Sequence, residues 1–146
     1  MNSKAVLFDF DGTLVDSMKD HYDAWFKASL YFGINLKPED YYPLEGVNVY
    51  ELAKRLFKIN KINGNEKELV KKKEKYYLKH NIITFYPGVE SLINKFRFYN
   101  IKLGIITTGL RKRIYSSVPK PFLDMFDVIV CGDDPVNVKP FPDPYL

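Results

Sequence analysis

The chain has 146 residues, 46% apolar and 27% charged, which fits one soluble globular domain or one domain with a small insertion. No apolar run nears the length of a membrane span, and a strand begins within four residues of the N-terminus, so neither a spanning segment nor a secretory signal is expected. The net charge is +4, and the single cysteine, Cys131, excludes an internal disulfide framework, so a reducing cytoplasm is the expected compartment.

Residues 4–9 read as a first strand, because Ala5-Val6-Leu7-Phe8 is a short apolar run. It leads into Asp9-Phe10-Asp11-Gly12-Thr13-Leu14. Carboxylates two residues apart at a strand end project to one side, and the Gly that follows lets the backbone turn away. Ligands of open α/β sheets bind at the carboxyl ends of strands. Asp9 and Asp11 therefore offer a nucleophile or metal ligand and an acid/base at a site-forming position. The bland alternative is ordinary acidic turn chemistry.

From Asp16 the apolar period becomes helical. Met18, Tyr22, Trp25, Phe26, Ser29 and Phe32 recur at that spacing, and Gly33 is the expected stop. His21 and Trp25 lie four apart on one face of this helix, and the plain reading is a polar histidine packed on the indole. Asn48 is a candidate N-cap for a second helix, with Glu51 three residues on and a stripe of Val49, Leu52, Ala53, Leu56 and Phe57. Asn65 with Glu68 repeats the pattern for a third helix, to about His80.

Much of the positive charge sits between Lys67 and Lys79. Glu66, Glu68 and Glu74 are interleaved with those lysines, and Glu68/Lys72 has a favourable helical spacing, so the run reads as a solvated face. No nucleic-acid module is recognisable, and no nucleic-acid or membrane partner is expected. Lys73 falls on an apolar seam with Leu69, Tyr76 and His80, where the plain reading is a snorkelling stem.

Tyr86-Pro87-Gly88 marks a boundary. Val89, Leu92, Ile93 and Phe96 then form a helix stripe, Leu103–Thr107 a strand, Leu110–Ser117 a helix and Asp127–Cys131 a further strand, with Cys131 as core filler. Alternating strand and helix points to an α/β, Rossmann-like parallel sheet. The helical block between the first two strands reads as an insertion. The expected organisation is an α/β core from 1–15 and 82–146 with a helical unit over 16–81.

The stretch from Asp9 to Leu14 resembles the first motif of the haloacid dehalogenase superfamily, Asp-x-Asp-Gly-Thr/Val-Leu/Ile/Val. Ile105-Ile106-Thr107-Thr108-Gly109 is similar to its second motif, and Lys139-Pro140-Phe141-Pro142-Asp143-Pro144-Tyr145 to its third. The order is also the family's. The resemblance implies a Mg²⁺-dependent enzyme that hydrolyses a small phosphomonoester, a sugar phosphate or a phosphoglycolate-like compound. Asp9 would be the nucleophile that forms an aspartyl-phosphate, and Asp11 the acid/base. The Asp9 carboxylate and the Asp11 backbone carbonyl would hold Mg²⁺. Thr107 and Thr108 would bind phosphate, Lys139 would neutralise its charge, and the helical insertion would be a cap.

His21-x-x-Ala24-Trp25 resembles the β-phosphoglucomutase branch and its sugar-phosphatase relatives, and Lys73 matches a substrate-facing lysine there. Two departures matter. Val49 stands where the mutase carries an arginine for a second phosphate, which favours a phosphatase. The family's fourth motif, an acidic pair that follows the lysine motif, has no counterpart before Leu146. Gly132-Asp133-Asp134 precedes Lys139 and reads as the turn after the third strand. Without the family's C-terminal strands, Lys4–Asp9 is expected to show an open apolar edge through which the chain self-associates. Two alternatives therefore stand beside the phosphatase: a sugar phosphomutase, and a truncated, non-catalytic remnant that binds phosphate or a partner.

Overall fold

The computed structural model describes residues 4–134 and 137–146. The chain divides into two compact units, one from the chain up to Ser17 with Ile82–Leu146, the other Met18–Asn81.

The first unit is built on a three-stranded parallel sheet. Strand β1 is Ala5–Phe8, β2 is Lys102–Ile106 and β3 is Val128–Val130, in the order β1-β2-β3. Val6 faces Leu103 and Phe8 faces Ile105, while Ile105 faces Ile129. The middle strand is the buried one, with four of its five residues in the core. Among the described residues β1 pairs with β2 alone, and Leu7 stays 43% exposed.

Helix α5, Val89–Phe98, joins the helical unit's exit to β2, and α6, Arg111–Ser117, with α7, Lys120–Leu123, carries the chain from β2 to β3. Phe8 meets Phe96 and Phe126 at 6.2 and 6.5 Å between ring centres, and Phe85 meets Phe122 at 4.2 Å. These rings close a core with Phe10, Leu14, Ile93, Ile105 and Ile114. The sheet's start is pinned by Asp127, which accepts from Leu103 N at 2.9 Å, Lys102 Nζ at 3.0 Å and Arg97 Nη1 at 3.2 Å.

The second unit is helical: α1 Met18–Leu30, α2 Pro38–Tyr41, α3 Val49–Ile59 and α4 Glu66–His80, with a 3-10 turn at Tyr42–Leu44. Both candidate caps act as such. Asn48 Oδ1 accepts from Tyr50 N at 3.0 Å, and Asn65 Oδ1 accepts from Glu68 N at 3.2 Å. All five stripe residues of α3 are buried.

The structure corrects several local readings. Helix α1 starts at Met18 rather than Asp16, because Asp16 N donates to Thr84 O at 2.8 Å instead. It stops at Leu30, so Phe32 lies in the turn that Gly33 closes. Leu92 is 43% exposed, because the α5 stripe narrows to Val89 and Ile93. Helices α2 and α7 are four residues each, too short for a period to show, yet they bury Tyr41, Phe122 and Leu123. Lys73 does not snorkel: the side chain is only 2% exposed. Among the described residues no helix is long and apolar enough to cross a membrane.

The chain enters and leaves the helical unit through paired segments. Val15 and Phe85 form an antiparallel bridge, and Tyr86 N donates to Leu14 O at 3.1 Å.

Candidate active site

Asp9 follows β1 directly, and Phe10 after it is fully buried, so the carboxylates on either side emerge away from the core. Gly12 takes a left-handed φ of 74°, and the turn closes with Gly12 N donating to Val15 O at 2.9 Å and Leu14 N to Phe10 O at 2.9 Å. The reversal holds Asp9 and Asp11 at the carboxyl end of the sheet.

Each carboxylate has its own cation. Lys139 Nζ donates to Asp9 Oδ1 at 2.8 Å, and Phe10 N donates to the same oxygen at 2.9 Å. The Asp9 side chain is 49% exposed, which leaves it room for an incoming group. Asp11 accepts from Ser17 Oγ at 2.8 Å and from the Arg113 guanidinium, Nη2 at 2.6 Å and Nη1 at 3.3 Å. The Arg113 side chain is 3% exposed.

Thr107 directly follows β2 and is buried. Its N–H donates to Val130 O at 2.9 Å, and its Oγ1 accepts from Gly109 N at 3.0 Å, so the hydroxyl proton points elsewhere. Thr108 beside it is half-buried. Asp9, Asp11, Thr107 and Lys139 thus all belong to the first unit. His21 and Lys73 belong to the second, where they meet each other. Lys73 Nζ stands 3.0 Å from His21 Nδ1 and 2.8 Å from Glu74 Oε1, and the His21 ring stacks on Tyr77 at 4.3 Å.

Gly132-Asp133-Asp134 is structural. Asp133 Oδ1 accepts from Arg111 N at 2.8 Å, and Asp134 takes the Arg111 guanidinium at 2.7 and 2.8 Å together with Cys131 N at 2.7 Å. Burial pushes the Asp134 carboxyl up, but Arg111 and the Cys131 N–H outweigh it and hold the group below the ordinary value. The turn therefore clamps the end of β3 to the start of α6.

Among the described residues, no three His, Cys, Asp or Glu side chains gather as a metal cage. A cage is not what Mg²⁺ needs. It is commonly held by one or two carboxylates with water and substrate phosphate supplying the remaining oxygens. The exposed Asp9 carboxylate is a hard donor of that kind, and the Asp11 carbonyl is the second candidate.

Two site residues escaped the sequence reading. Ser17 stands outside any motif. Arg113 sits in the run Arg111-Lys112-Arg113, within the helix expected over Leu110–Ser117. Its one signal is Gly109 four residues earlier, a residue small enough to leave a long side chain room.

The haloacid dehalogenase-like hydrolase family model matches residues 6–146. The chain is 29% identical over 149 residues to pyrophosphatase PpaX of Bacillus cereus (strain B4264), an alignment covering 99% of this chain and 66% of that protein. It is 30% identical over 159 residues to the protein CbbY of Rhodobacter capsulatus, covering 100% of this chain and 70% of that one. The crystal structure of β-phosphoglucomutase from Clostridium difficile superposes with a TM-score of 0.81 at 26% identity, covering 98% of this chain and 68% of the other. The chain thus spans about two thirds of the length of the curated relatives it matches.

Proposed function

The chain belongs to the haloacid dehalogenase-like hydrolases, and from that premise we propose that it carries the phosphoryl-transfer centre of a Mg²⁺-dependent phosphatase acting on a small phosphate ester. One observation carries the reading: Lys139 Nζ lies 2.8 Å from the exposed Asp9 carboxylate at the mouth of the sheet.

In this reading Asp9 attacks phosphorus in line and forms an aspartyl-phosphate. Lys139 brings positive charge to the attacking group and the phosphoryl oxygens. Thr107 has its lone pair engaged by Gly109 N and turns its proton to a phosphoryl oxygen, with Thr108 next to it. Asp11 protonates the leaving oxygen and then activates water. The Asp9 carboxylate and the Asp11 backbone carbonyl would hold Mg²⁺, which would supply neutralising charge beside the phosphoryl oxygens. The helical unit, with His21 and Lys73, supplies substrate selection as a cap.

Val49 favours hydrolysis over mutase chemistry. It is buried at the first position of α3, where an apolar side chain offers nothing to a second phosphate. The substrate panel includes pyrophosphate, for the relative named a pyrophosphatase, along with phosphoglycolate and sugar monophosphates.

The test is phosphate release from that panel with and without Mg²⁺, for the chain and for Asp9→Asn. Metal-dependent turnover that disappears in Asp9→Asn supports the reading. Turnover that survives in Asp9→Asn, or silence from folded protein, overturns it.

A further inference from the structure

Arg113 is a buried cation that none of the three motifs contains. It occupies the third position of α6, and its guanidinium grips Asp11 end-on. How it gets there is set by Gly109. A Cβ added to Gly109 would lie 1.9 Å from Arg113 Nη2 and 2.9 Å from Cζ, and 3.2 Å from Thr107 Oγ1. The guanidinium therefore passes directly across the bare Cα of Gly109, beside the Thr107 hydroxyl. Any side chain at position 109 would displace it. Gly109 and Arg113 act as a pair, the one vacating the space the other fills.

The consequence is a planar cation, 3% exposed, between the acidic loop after β1 and the threonine after β2. A buried ion pair is weak evidence for stability, because the desolvation of both ions offsets their attraction. A guanidinium is, however, suited to oxyanions, which it meets with parallel N–H donors; here both Nη atoms donate to the Asp11 carboxylate, so a phosphoryl group would compete with Asp11 for them. We propose that Arg113 is a further phosphate-binding residue of this site, held in place by Asp11 and admitted by Gly109. The inference rests on the phosphoryl-transfer reading above.

The test is a calorimetric titration with inorganic phosphate in the presence of Mg²⁺, on the chain and three variants, each checked for folding by thermal melt. Arg113→Met should weaken phosphate binding by roughly tenfold or more, the scale of one charge-assisted hydrogen bond. Gly109→Ala, which keeps the arginine but blocks its path, should weaken it to a similar degree. Lys139→Met is the control for the site itself. Loss of binding in Lys139→Met with none in Arg113→Met and Gly109→Ala overturns the inference and leaves the proposed function standing. A chain that binds no phosphate at all overturns both.

A measurement on the unaltered chain covers variants that do not fold. The Arg113 Nε–H signal in a ¹⁵N NMR spectrum should shift on phosphate addition, while that of the surface residue Arg97 should not. An Arg113 signal that stays in place at saturating phosphate overturns the inference.

Discussion

Lys139 and Asp9 stand 130 positions apart in the chain and meet at 2.8 Å. The contact joins the last motif to the first, and it makes the ammonium the counter-ion of the proposed nucleophile. Asp9→Asn keeps the shape and removes the nucleophile, so phosphate release should fall by roughly 10⁴-fold or more. Lys139→Met should lower it too, with the larger effect on kcat if the charge acts mainly on the transition state. Steady-state kinetics with a phosphate-release assay check both.

The buried Lys73 group makes a prediction about the helical unit alone. Lys73→Met removes the cation from between Glu74 and His21 and should cost about 3 kcal/mol, as when one partner of a buried pair is lost. Adding Glu74→Gln to that variant should recover part of the loss, because the half-buried carboxylate that faced the ammonium is then neutral. Trp25 is the only tryptophan and is buried in the same unit. Urea unfolding followed by its fluorescence therefore reports on this unit, and a double variant no more stable than Lys73→Met would contradict the argument.

Cys131 reports on the other unit. Burial pushes its thiol up, only partly offset by Arg111, to about 11 from an ordinary 9.0. An aromatic disulfide reagent at pH 8 should label it only at the rate at which the unit opens. Between pH 9 and about 11 the unfolded chain releases the thiol proton and the folded chain keeps it, so stability should decline across that window. Cys131→Ala should lessen the decline in alkaline denaturation curves.

Asp127 acts at the opposite end of the pH scale. The Leu103 N–H, followed by Lys102 and Arg97, holds its carboxyl below the ordinary value of 3.8. Its contribution to stability is complete above that value and is lost as pH falls through the lowered one. Asp127→Asn should be less stable than the unaltered chain at neutral pH and show a smaller further loss on acidification below pH 4. Thermal melts across pH 2–7 measure this.

Much of this was legible because the elements are long enough to show a period or carry a cap. Asn48 and Asn65 announced α3 and α4, and the apolar runs announced all three strands. What stayed hidden depends on space rather than pattern. Helices α2 and α7 have no room for a period. Lys73 reads in the sequence as a snorkelling stem on an apolar seam, and only the fold brings it to His21, fifty-two positions away. Arg113 falls in the expected helix Leu110–Ser117 with nothing to mark it, because a sequence shows that Gly109 is small but not what lies across it.

The bridge between Val15 and Phe85, with Leu14 and Tyr86 hydrogen-bonded alongside, pairs the segments that lead into and out of the helical unit. A unit whose entry and exit are already joined behaves as an exchangeable cassette. A change of length among its helices is then taken up inside residues 18–81 and is not passed to the register of β1 on β2.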